Sequence, residues 1–217
     1  MRTQVLTLFT VSLLSCLCAN AEDEDISRTN RSIHIGDGER VGDLHSVNGS
    51  IEIGDRAVAA IVKTVNGSVR IGTDGHAKSL GTVNGAVSVG KRSIVDNDMT
   101  SVNGRLTLSE EAVIQGNVKN INSRIVIGPR AHVGGKVISN NGDITLQENA
   151  RVDGGIKVKA EPTHWFKSGV STQRRPVITI GPGAQVEGEM VFERDVELRV
   201  HSTAKIGAVT GASVERY

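Results

Sequence analysis

Six histidines, His34, His45, His76, His132, His164 and His201, are the side chains in this chain best suited to proton transfer. A histidine titrates near neutrality and could act as a general base in acyl transfer. These six are scattered, and only His164 lies in an excursion long enough to wall a pocket. The acid clusters that glycan-cleaving β-helix enzymes need are missing, as is the calcium-binding nonapeptide. No catalytic, cofactor or metal residues are therefore assigned. The densest chemistry is His164-Trp165-Phe166-Lys167, with Arg174 and Arg175 close behind. An aromatic pair beside cations suits docking to an envelope protein, a glycan or a lipid headgroup region. The competing reading is a flap whose rings cover a side of the core.

A second constellation is a column of asparagines: Asn48, Asn66, Asn84, Asn103, Asn122 and Asn141. It reads either as a ligand or ion ladder or as a structural row of stacked amides. The structural reading is preferred, because one residue type serves one corner in every coil. Ser46, Thr64, Thr82, Ser101 and Ser139 form a hydroxyl row beside it, interrupted by Asn120. Being single and broken, the row reads as solvated strand chemistry and not as an ice-binding face.

The elements that must carry these residues follow from the repeat. Val-Asn-Gly occurs at 47–49, 65–67, 83–85 and 102–104, and the column extends back to Asn30. Successive asparagines are 18, 18, 18, 19, 19 and 19 residues apart. Each interval divides into hexads with sixth positions Ile35, Val41, Val47, Ile53, Ala59 and Val65, read as pointing inward. Alternation of period two, as in Ile51-Glu52-Ile53 and Val69-Arg70-Ile71, marks short strands. Gly or Asn after them suits a corner with positive φ. The fold class is all-β: a single-stranded three-sided β-helix of about nine coils, its core on the order of 40 Å long.

Composition agrees. The 217 residues include 28 Val, 18 Ile and 25 Gly, but only 2% aromatics, as a core too narrow for rings requires. The net charge of +1 argues against a nucleic-acid binder. Residues 1–21 read as a signal peptide ending in Ala19-Asn20-Ala21, followed by an acidic leader over 22–29. Coils occupy 30–159, an irregular insertion 160–176, terminal coils 177–210 and a tail 211–217. The expected destination is the periplasm or cell surface, with lipidation at Cys16 as the alternative. No membrane span is expected in the processed chain.

The runs IGPRAHVGGKV (Ile127–Val137) and IGPGAQVEGEM (Ile180–Met190) resemble the repeats of bactofilins, polymer-forming bacterial cytoskeletal proteins. The resemblance covers most of 30–158 and 177–207. It implies a right-handed three-sided β-helix, nucleotide-independent head-to-tail filament formation and a scaffold role. The export signal, the Val-Asn-Gly corner and the Trp-containing insertion depart from that family. The expected function is an exported structural protein of the bacterial envelope, with itself as one partner. A monomeric, adhesin-like binding module using the 160–176 loop is the rival reading. A hexapeptide-repeat acyltransferase is the enzymatic alternative.

Overall fold

A computed structural model describes residues 23–160 and 174–217. The segment read as a signal peptide and the core of the insertion, including His164, Trp165, Phe166 and Lys167, lie outside the described residues. The chain is all-β and coils into a solenoid of about nine turns with parallel strands throughout. Most turns lay down three short strands. On the first face, Ile33–Ile35, Ile51–Ile53 and Val69–Ile71 begin a ten-stranded sheet that ends at Val214–Arg216. The second and third faces merge into one sixteen-stranded sheet. They merge because Val58–Thr64 and His76–Thr82 run unbroken around the corner between them.

Pairing is in register from coil to coil. Ile51 lies on Ile33, Val69 on Ile51 and Val87 on Val69, so like residues stack in axial columns. The three-residue strands from Ile33–Ile35 to Met190–Phe192 run inward, outward, inward, and their inward positions are almost wholly buried. Ala57, Ala112, Ala131, Ala150 and Ala184 form the small-residue column. One coil cannot bury its own apolar side, so neighbouring coils supply the shelter and the stability is largely nearest-neighbour.

Several expectations are corrected. Val47, Val65 and Val83 do not point inward; they are 43%, 41% and 39% exposed. The alternation runs Leu44 in, His45 out, Ser46 in, so Val47 falls outside. The hydroxyl row is consequently inside the solenoid, not solvated: Ser46, Thr64, Thr82, Ser101 and Ser139 are all buried. That removes it as an ice-facing surface. Positive φ is also not a property of the asparagine column beyond Asn30. It recurs at another corner, at Arg56, Asp74, Arg92, Glu111, Arg130 and Asn149.

One ring does fit inside. Phe192 is 5% exposed, at a corner past the insertion built from Glu193, Arg194 and Asp195. The regular pairing also reaches further than the repeat pattern suggests. Ile26–Arg28 of the acidic leader pairs with Leu44–Ser46, and Val214–Arg216 of the tail pairs with Leu198–Val200. The tail adds one more strand to the first face.

Candidate interaction surface at the asparagine corner

At the corner between the third and first faces, glycines let successive coils approach closely. A methyl group on Gly67, Gly85 or Gly104 would run into the carbonyl oxygen of Gly49, Gly67 or Gly85 in the coil before. Glycine is required there for close approach, not for backbone handedness. The same carbonyls are capped from inside. Thr64 donates to the Gly49 oxygen at 2.9 Å, Thr82 to Gly67 at 2.9 Å and Ser101 to Gly85 at 3.3 Å. The buried hydroxyls thus satisfy backbone acceptors that would otherwise sit unpaired in the core.

Outside that corner stands the amide row. Asn48 donates from Nδ2 to Oδ1 of Asn30 at 2.7 Å. Asn66, Asn84, Asn103 and Asn122 each repeat this contact to the coil before at 2.8 Å, and Asn141 does so at 3.2 Å. All donors point one way, so the row presents donors at its start and a carbonyl acceptor at Asn141. The guanidinium of Arg194 meets that acceptor and also donates to the Asn140 carbonyl at 3.2 Å. A cation at the negative end of aligned dipoles is the favourable arrangement. Nothing in the repeat announces Arg194, which lies 53 residues from Asn141. Because these amides are exposed, water compensates for a lost partner. Asn103→Ala is expected to cost about 1 kcal/mol, seen as a modest fall in melting temperature; no fall would mean that the row contributes nothing.

The insertion leaves the solenoid at this corner. Ile144 pairs with Ile178, a step of 34 residues where the preceding coil uses 19, so the excursion adds 34 − 19 = 15. Both of its ends are fastened. At its start, the Ala160 amide donates to Glu193 at 3.3 Å, and Lys157 pairs with Glu193 at 2.6 Å. At its end, the half-ring of contacts centres on Asp143, which accepts from Arg174 at 2.8 Å and from the Val177 amide at 3.0 Å. Arg175 lies 3.9 Å from Asp195. The structure therefore puts Arg174 and Arg175 in ion pairs at the foot of the insertion. Beside them an open cleft of about 670 Å³ is lined by Asp195, Val196, Glu197, Leu198 and Gly211–Glu215.

The histidines are not brought together. His34 faces Glu52 at 3.7 Å, His76 meets Asp96 at 2.9 Å, His132 meets Asp153 at 2.8 Å, and His201 packs edge-on to Tyr217. Neither the cleft beside Arg175 nor the corner groove at Ile121 has a histidine in its lining. Among the described residues, no group of three or more His, Cys, Asp or Glu is placed to hold a metal ion. No protein family, curated protein or solved structure matches this chain.

Carboxylates on the outer faces are held ionised by their neighbours. The hydrogen bond from Arg92 lowers Asp74, and that from Arg151 lowers Asp153, with His132 adding to it. Burial opposes ionisation of Asp98, but hydrogen bonds from Lys119 and Asn117 outweigh it and leave its pKa lowered. The Lys157 and Ala160 contacts lower Glu193. A pKa depressed by folding stabilises the protein above the unfolded value and is lost as pH falls through the folded one. The melting temperature should therefore hold down to about pH 5 and drop below about pH 4. Calorimetry at pH 7, 5 and 3 tests this, and an unchanged melt at pH 3 would show the pairs to be inert.

Proposed function

We propose that this protein is a non-enzymatic, exported structural element of the bacterial envelope that assembles by coil-on-coil stacking, as the bactofilins it resembles do. The supporting observation is its carboxyl-terminal end. Lys205–Ile206, Val209–Thr210 and Val214–Arg216 each pair on one side only among the described residues. On the far side their N–H and C=O groups have no strand partner among the described residues, and an edge of that kind pairs with another strand unless blocked. Val214 is 40% exposed there, and Ile206, Val209 and Ala212 are only partly covered. A net charge near zero adds little repulsion between copies.

A second reading, a monomeric binding module, draws on the cleft at the foot of the insertion. The acyltransferase reading has less support, since no histidine borders either recess described above. Light scattering and negative-stain microscopy of the processed chain separate the first two. Growth into rods with rising concentration is expected, and Val214→Lys, which places a charge on the open edge, should suppress it. A strict monomer at high concentration would defeat the assembly proposal. Mass spectrometry of the processed amino terminus distinguishes cleavage after Ala21 from lipidation at Cys16.

A further inference from the structure

The residues displaced to the outside by the corner's geometry form a surface of their own. Val47, Val65, Val83, Val102 and Ile121 occupy one axial column, one residue per coil. Val47, Val65, Val83 and Ile121 are 43%, 41%, 39% and 41% exposed, and they account for four of the seven large apolar residues most exposed among those described. Four inter-coil steps make the column about 19 Å long. Scattered exposed valines need no explanation, but a continuous aliphatic line does.

Its flanks are basic. On the third face, the outward residues of the same five coils are His45, Lys63, Gly81, Thr100 and Lys119. Beyond the asparagine row, the matching positions are Ser50, Ser68, Ala86, Arg105 and Arg124. Neither flanking column holds an acid in these coils, although the chain as a whole carries only +1. Lys119 and Arg124 are paired with Asp98 and Asp143, while Lys63 and Arg105 have no ion pair among the described residues. At its far end the line opens into a groove of about 360 Å³, where Val102, Ile121 and Ile138 lie with Lys119 and Lys159.

We propose that this edge docks the rod lengthwise on an anionic lipid bilayer, the aliphatic line entering the headgroup boundary and the lysines and arginines meeting the phosphates. Aliphatic contact plus flanking cations is the combination that an anionic bilayer surface rewards. A second copy of the chain is disfavoured, because pairing two such edges would oppose like charges. A glycan is disfavoured too: neither the line nor its flanks offers an aromatic face to a sugar ring. The asparagine amides beside the line already bond one another, so they lose few water contacts on approach. The proposal is independent of end-to-end assembly.

The test is co-sedimentation of the processed chain with phosphatidylcholine vesicles, with and without phosphatidylglycerol. Binding to the anionic vesicles alone, weakened by salt, is expected. Val65→Ser/Val83→Ser/Ile121→Ser should bind at least tenfold more weakly, as should Lys63→Glu/Arg105→Glu; circular dichroism and melting confirm that each variant is folded. Absence of binding, or equal binding by the folded serine variant, overturns the proposal. So does equally tight binding to an anionic polysaccharide such as polygalacturonate, which would assign the edge to a glycan.

Discussion

Gly104→Ala is expected to destabilise the solenoid by about 3 kcal/mol, measured as a shift of the urea midpoint. The added methyl would meet the Gly85 carbonyl oxygen, part of rigid backbone that cannot rotate aside. That oxygen also accepts the buried Ser101 hydroxyl, so moving it disturbs a bond inside the core as well. Asn103, next in sequence, would be pulled away from Asn84. Because each coil is stabilised mainly by its neighbours, a defect in the middle of the stack weakens coupling between the two halves. Melting should then broaden or split as well as shift. Gly38→Ala is the control: its φ of +70° brings strain, but an added methyl there meets nothing within 4 Å. A Gly104→Ala protein as stable as the parent would mean that the coils can separate at this corner without cost.

Asn120→Leu should cost a comparable amount, about 3 kcal/mol, because it leaves buried backbone groups without partners. Asn120 is 2% exposed; its Nδ2 donates to the Gly104 carbonyl at 2.6 Å and its Oδ1 accepts from the Ser123 amide at 3.1 Å. Two departures coincide in this coil. Asn120 replaces the hydroxyl residue of its neighbours, and Ser123 replaces their glycine. The longer amide reaches the carbonyl of the coil before and the amide of its own corner, whereas the Ser139 hydroxyl bonds only Gly142 of its own coil. Asn120→Ser/Ser123→Gly, which restores the arrangement of Ser101 and Gly104, should recover most of the loss. Equal stability losses for Asn120→Leu and the double variant would show that the two positions are not coupled.

The coil, its length and its interior columns were legible because they rest on period: asparagines at 18 or 19 residues and Ile-x-Ile alternation leave few other folds. The orientation at the asparagine corner was not. Between Ser46 and Val47, hydrophobicity alone puts valine inside; the structure puts serine there because its hydroxyl caps the Arg31 carbonyl at 3.3 Å. Alternation fixes that neighbours point opposite ways, not which of them points in. The exposed aliphatic line is the direct result of that choice, so it too was hidden. The glycines were visible as residues, but their cause lies in an adjacent coil, out of reach of local propensity. Arg194 and Asp143 were illegible for the same reason: each acts on a partner brought near only by coiling, Asn141 for the first and Arg174 for the second.

The fastened insertion also bears on how such a chain changes over generations. Residues 160 and 174 are held to one corner by Glu193 and Asp143, while Ile178 pairs with Ile144 as though nothing had intervened. With both ends pinned, lengthening the excursion costs only the slow logarithm of loop closure. Foreign sequence grafted between them should therefore leave the stack of coils intact.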